Sequence, residues 1–306
     1  MPDNDSDMSS PKGPRNALRN TPPDPNPVKP KFPVPPGSWD CHIHLFGPAS
    51  RFPFDPDSPY LADDALPEDY LANQDIMGLQ RAVVVSAGGY GTDYSQLAWV
   101  LEHFGTRLRG VILSRPDFGA DELARLEGLG VRAVRMFGAP PGNEWHHLPR
   151  IDPRIAALAD EAGLHVQYHS ITRDDIEHAA DELLDLPGRI VVDHFGMFDP
   201  RLGLDQPGFR AILRMIDSGR VWIKLSGPMR AAREEDFPYP SMTPYARALV
   251  AHAPERVVWG SDWPHVQMNG RIMPNDGDLL DLLAEWVPDE ATRWRILAEN
   301  PLELYD

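Results

Sequence analysis

The chain is poor in the residues that would cross-link it or place it in lipid. It has a single cysteine, Cys41, among 306 residues. An internal disulfide is therefore excluded, and a reducing, cytoplasmic setting is expected. No stretch approaches the roughly 20 consecutive apolar residues of a membrane span, and no apolar h-region of a secretory signal is present. Positive charge is scarce as well, with 29 Lys and Arg against 46 Asp and Glu, a net charge of −17. This balance argues against nucleic acid or an anionic membrane as a partner, and an anionic substrate would need local Arg or Lys. No Gly-X-Gly-X-X-Gly follows any apolar run, which disfavours an open dinucleotide-binding sheet.

Proline, by contrast, is concentrated. Residues 1–36 hold eleven of the 33 prolines and almost no aliphatic side chains. Such a segment cannot bury enough apolar surface to offset ordering, and a disordered or polyproline-like arm is expected there. The pattern changes after Gly37. Short β-branched runs recur at Trp39–Phe46, Ala82–Ala87, Gly110–Leu113, Val131–Phe137, Leu164–Tyr168, Ile190–Val192, Val221–Leu225 and Val257–Trp259. Continuous Val/Ile/Leu runs suit strands covered on both faces. Helical patterns lie between most of them, at Tyr94–Phe104, Asp121–Leu129, Pro153–Ala162, Asp174–Leu184, Pro207–Ser218 and Thr243–Ala253. Asp121 and Asp174 read as N-caps, and Gly130, Gly163 and Gly219 as C-terminal turns. Eight strands alternating with helices over residues 37–306 predict a single-domain (β/α)8, or TIM, barrel. Long connections at Phe46–Leu79 and Pro228–Pro244 are expected to build the rim.

The chemistry-bearing residues stand at the ends of these runs. His42 and His44 alternate on the first, so their imidazoles share a face, with Cys41 on the opposite one as a packing residue. Arg135 ends the fourth run, Tyr168 and His169 the fifth, Asp193 and His194 the sixth. Lys224 lies on the seventh, with Ser226 and Arg230 after it, and Asp262 and His265 follow the eighth. In a barrel these ends meet at one rim. Buried imidazoles and carboxylates need partners, and a shared ion or substrate would satisfy several at once. Structural readings stand beside the functional ones. His169 could be a core histidine, Asp193 could fix the rim through a backbone hydrogen bond, Arg135 could pair with Glu144, and Lys224 could brace the interior. His146, His147, His165, His178 and His252 read as surface or loop residues.

Several motifs resemble the amidohydrolase superfamily, amidohydrolase-2 type. They are Asp40-Cys41-His42-Ile43-His44-Leu45-Phe46-Gly47-Pro48, Phe52-Pro53-Phe54-Asp55-Pro56, Asp193-His194-Phe195-Gly196-Met197, Trp259-Gly260-Ser261-Asp262-Trp263-Pro264-His265 and the terminal Asn300-Pro301-Leu302-Glu303-Leu304-Tyr305. The branch they resemble is that of 2-pyrone-4,6-dicarboxylate lactonases and related lactone hydrolases. The resemblance implies a distorted barrel hydrolysing a lactone, ester or amide. It implies that His42, His44 and His194 contact the scissile carbonyl and that Asp262 activates water. It gives Arg135, Arg230 and Tyr168 the substrate's carboxylates or ring, with weaker contacts from Tyr60 and Ser86. Lys224 and His265 complete the candidate substrate-binding set. Two departures stand out. No basic residue follows Arg135 within Met136–Gly142, where pyrone dicarboxylate enzymes carry one. His169 matches a ligand of metal-dependent relatives that the metal-free lactonases lack.

The resulting expectation is a hydrolase of a small carboxylated lactone. One divalent metal, zinc or manganese, is held by His42, His44, His169 and Asp262. A metal-free mechanism would use the histidines as a cationic oxyanion site. Alternatives are a metal-dependent non-oxidative decarboxylase and an inactive barrel serving as a scaffold. A homodimer is compatible with the chain, although no interface signature is visible.

Overall fold

The computed structural model describes residues 18–58, 60–138 and 148–306. Eight parallel strands pair in one sheet: β1 Trp39–Ile43, β2 Arg81–Val85, β3 Leu108–Leu113, β4 Val131–Gly138, β5 His165–Ser170, β6 Ile190–Val192, β7 Val221–Ser226 and β8 Val257–Gly260. Each pairs with the next in sequence. The last seam is shut just beyond the strands. His44 N donates to Trp263 O at 2.7 Å, and Asp262 N donates to His42 O at 2.8 Å. The expected barrel is thus present, closed at the edge where the candidate residues lie.

Helices α1 Pro67–Met77, α2 Ser95–Phe104, α3 Ala120–Leu129, α4 Pro153–Glu161, α5 Asp175–Asp185, α6 Pro207–Asp217, α7 Thr243–His252 and α8 Asp276–Trp286 follow the successive strands. Outward residues such as Val84, Ile112, Val134, Val166 and Ile223 pack with helix residues including Leu97, Leu126, Ile155 and Ile212. Inward residues Val83, Val85, Val111, Ala133, Val191 and Val258 form a separate core with Trp39, Trp222, Leu304 and Tyr305. The C-terminal residues thus plug the barrel interior.

Two expectations need revision here. Asp121 is not the cap of α3: Gly119 holds that position and Asp121 lies in the first turn. The long connection after Phe46 contains α1, whose buried face includes Tyr70, Asn73 and Gln74. That face has no apolar stripe for a sequence pattern to reveal.

The proline-rich arm divides. Its first 17 residues lie outside the described set, as do Glu144, His146 and His147. The remainder is extended and docked on the barrel. Val28 N donates to Asn275 Oδ1 at 2.9 Å and Lys31 N to Asp281 Oδ1 at 2.7 Å. Proline restricts the unfolded chain, so a few side-chain acceptors on α8 and its cap suffice to hold the strap. No helix among the described residues is long and apolar enough to cross a membrane.

Candidate active site

Strand β1 supplies the first components. Its pairing with β2 slips between Asp40 and Ile43, three residues against two. A bulge of this kind turns two consecutive residues to one side. Cys41 therefore packs in the barrel interior with Val83 and Val85 rather than on the face opposite the histidines. His42 crowds β8 closely enough that a Cβ on Gly260 would lie 2.8 Å from its own Cβ. Only glycine fits there.

The ring of His42 on β1 and that of His44 just beyond it are both oriented by their Nδ1 atoms. His44 Nδ1 lies 2.8 Å from Val85 O, and His42 Nδ1 lies 3.2 Å from Asp193 Oδ1. With the proton on Nδ1, each Nε2 is a bare acceptor. The two Nε2 atoms face each other at 3.3 Å. Two lone pairs that close require a proton or a cation between them.

Asp262 completes the group. Its Oδ1 stands 3.8 Å from His42 Nε2, 3.6 Å from His44 Nε2 and 3.8 Å from His194 Nε2. Oδ1 is buried and has no hydrogen-bond partner among the described residues. Oδ2 is held by Arg230, whose Nε and Nη2 both lie at 2.7 Å. Burial works to raise the Asp262 pKa, but the Arg230 guanidinium and then His194 hold it well below the usual carboxylate range. Asp262 is therefore an ionised base. His194 is set by Ser226 Oγ, 2.9 Å from its Nδ1, and burial pushes its pKa down to about 4. Burial likewise takes His42 and His169 well below the ordinary imidazole value. Three of these rings are therefore neutral near pH 7, which disfavours a cationic oxyanion site.

Backbone conformation marks the same places. His194 and Asp262 adopt φ of +49° and +69°. Non-glycine residues there cost about 1 kcal/mol or more and persist where the surroundings over-determine them. Gly227 (φ +54°) passes so near that a Cβ would lie 2.8 Å from His194 Nδ1 and 3.2 Å from Asp262 Oδ2.

Beneath the imidazoles lies a charged hub. Asp193 Oδ2 accepts from Arg135 Nε at 2.9 Å and Gln167 Nε2 at 3.0 Å, while Oδ1 lies 3.3 Å from Lys224 Nζ. Lys224 also donates to Gln167 Oε1 at 2.7 Å. Burial raises the Asp193 pKa, but Lys224, Arg135 and His42 together bring it well below normal. Asp193 thus links charged side chains instead of a backbone group at the rim, and Arg135 is paired to it. Gln167 was legible in principle, because it alternates with His165 and His169 on β5.

A cavity of 770 Å³ opens above, lined by His44, His169, His194, Asp262, Arg135, Arg230 and Tyr60 among others. Other candidates are placed elsewhere. Tyr168 faces outward near α5 and is fully buried. Lys224 is enclosed below the cavity. His265 bonds Asp276 Oδ1 at 2.9 Å and fixes the loop after β8. Ser86 is buried, and its hydroxyl has no partner among the described residues. His165, expected at the surface, is buried inside the barrel, its ring 5.3 Å from that of Tyr305.

The expected metal set is only partly convergent. His42, His194 and Asp262 form one group able to hold a cation, with His44 beside them, and His169 groups instead with Asp193 and His194. Donor separations of 3.3–3.8 Å match the edges of a tetrahedron of roughly 2.1 Å bonds. The unpartnered Oδ1 and the facing Nε2 pair fit such an ion, with His194 in the place expected for His169.

Comparison with known proteins gives a consistent assignment. The chain is 35% identical over 275 residues to a 4-sulfomuconolactone hydrolase of Rhizobium radiobacter, covering 90% of this chain and 91% of the relative. It is 35% identical to a 2-pyrone-4,6-dicarboxylate hydrolase of Comamonas testosteroni, covering 92% and 93%. A crystal structure from Agrobacterium tumefaciens superposes with a TM-score of 0.79 at 27% identity, covering 90% of this chain and 98% of that one. The family model described as amidohydrolase matches residues 39–306, and the chain belongs to the amidohydrolase family.

Proposed function

We propose that this protein hydrolyses a small lactone bearing a carboxylate or similar anionic group. The observation that carries the reading is the position of Asp262 Oδ1, 3.6–3.8 Å from three imidazole nitrogens at the floor of the cavity. The names of the relatives, both hydrolases of anionic ring lactones, support it.

In this reading a water molecule sits against Asp262 Oδ1, which takes its proton as the oxygen attacks the lactone carbonyl. The new C–O bond forms and the ring C–O bond breaks. The proton on Asp262 passes to the departing ring oxygen, leaving an open-chain hydroxy acid or its keto form. Arg230 anchors Oδ2, so the proton exchanges at Oδ1. His194, neutral and backed by Ser226, presents Nε2 to the reacting centre; with Ser226 donating to Nδ1, Nε2–H stabilises the carbonyl oxygen as charge develops. Arg135 and Arg230 bring positive potential to the cavity wall for an anionic substrate. With its proton on Nδ1 instead, His194 would join His42, His44 and Asp262 in holding a divalent zinc or manganese ion. Such an ion supplies Lewis acidity and lowers the pKa of bound water from 15.7 toward roughly 7.

The test is a lactone panel including 4-sulfomuconolactone and 2-pyrone-4,6-dicarboxylate, with products read by mass. Ring opening with uptake of one water is expected, together with loss of turnover on chelation and recovery on adding zinc or manganese. Asp262→Asn should lower kcat by about 10²–10⁴ while ligand binding persists. Release of carbon dioxide without water uptake would identify a decarboxylase instead, and folded wild-type protein that opens none of the panel would refute the proposal.

A further inference from the structure

Five arginines line the cavity, in a chain whose net charge is −17. Three of them are paired to acids of the protein. Arg135 is paired to Asp193 at 2.8 Å, Arg230 to Asp262 at 2.7 Å, and Arg173 to Asp199 at 3.0 Å and Glu234 at 2.9 Å. Arg233 and Arg271 differ. Arg233 Nε donates to Arg230 O at 3.0 Å. Arg271 donates to Met268 O at 3.2 Å and Met229 O at 2.9 Å. Among the described residues neither makes a salt bridge to a carboxylate. They brace the turn Pro228–Ala231, the segment that carries Arg230, from the loops after β7 and β8.

Each guanidinium also senses its neighbours. Burial, then the like charges of Arg173 and Arg230, pushes Arg233 below its ordinary value, and burial with Arg230 does the same to Arg271. The charges of Glu234 and Asp236 reach these arginines without bonding to them. Like charges gathered at a cavity wall without a matching acid are costly unless an anion joins them.

We propose that Arg233 and Arg271 form an anion-binding subsite that takes a second carboxylate or sulfonate of the substrate, and so select doubly anionic ligands over singly anionic ones. A planar guanidinium fork matches either group in two places. The proposal rests on the hydrolase reading for the identity of the substrate, but not for the preference itself.

That separation sets the experiment. Pyridine-2,4-dicarboxylate and pyridine-2-carboxylate, which cannot be ring-opened, are titrated calorimetrically into wild type, Arg233→Gln, Arg271→Gln and the double variant. Wild type should bind the dianion at least about tenfold more tightly, and each single substitution should remove roughly tenfold of that preference. Monoanion affinity should stay within about twofold, since that contact is made elsewhere. Arg233 donates one backbone bond, to Arg230 O, and makes no salt bridge among the described residues, so Arg233→Gln should keep the wild-type melting temperature. A wild type without preference, or equal weakening of both ligands, would overturn the subsite. If the preference behaves as expected but no lactone is turned over, the subsite stands and the hydrolase reading alone falls.

Discussion

The two ends of the barrel interior solve opposite problems. At the amino-terminal end of the strands, Trp39, Trp222, Leu304 and Tyr305 fill the cylinder with apolar volume. At the carboxyl end the same cylinder holds His42, His44, Asp193 and Asp262, all buried and all polar. The boundary is Lys224, whose ammonium lies 5.9 Å above the Tyr305 ring and 3.3 Å from Asp193. Apolar filling is non-directional and tolerates rearrangement, whereas buried charges tolerate none, because each depends on a partner set by another strand. The upper layer can afford its charges because the lower layer fixes where the strands stand.

Four substitutions probe this division. Asp193→Asn should have the largest effect, since it leaves Lys224 and Arg135 without their counter-charge. We expect a stability loss of about 3–5 kcal/mol in denaturant titration, together with a fall in turnover as His42 loses its Nδ1 acceptor. Adding Lys224→Met to this variant should restore much of the stability but not the activity; restoration of both would show that Asp193 acts only through Lys224. Tyr305→Ala should cost about 3 kcal/mol of stability through lost packing. Turnover per folded molecule should be unchanged, and a large fall in kcat would mean that the two layers are not separable. The smallest effect concerns His165, a lower-layer histidine whose pKa burial pushes down to about 3. Below pH 6.5 the unfolded chain takes up a proton that the native ring refuses, so stability present at neutral pH is lost as pH falls toward 3. Between pH 7 and 5 this amounts to about 2 kcal/mol, and His165→Leu should flatten the acid limb of the stability curve by that amount. An unchanged acid limb would show that the ring is hydrated in the native state.

The legibility of the sequence divides along the same line. The strands could be read because β-branched runs such as Val131–Phe137 and Val221–Leu225 are local signals, and the chemistry at their ends followed from barrel geometry. Helix α1 was hidden because it is buried through Asn73 and Gln74, and Asn73 answers Asp276 across 203 residues of sequence. The bulge in β1 was equally invisible. Its cause is a register slip between strands and the close passage of Gly260, neither of which leaves a mark in the order of residues. Asp193 read as a rim acid because its partners Arg135, Gln167 and Lys224 lie on three other strands. Arg233 and Arg271 passed unnoticed because, in a sequence, a guanidinium without a counter-ion looks like any surface arginine. Only the arrangement in space shows which two of the five arginines make no salt bridge among the described residues.

The hydrogen bonds that join His42 O to Asp262 N and His44 N to Trp263 O lie along the line where the sheet meets itself. One lip of that line carries Asp262 and the other carries the paired imidazoles. Any splaying that parts the lips separates Asp262 from these imidazoles before a single helix unravels. Turnover should therefore fade ahead of the helical signal on warming, which makes enzymatic rate a finer gauge of the cylinder's integrity than spectroscopy.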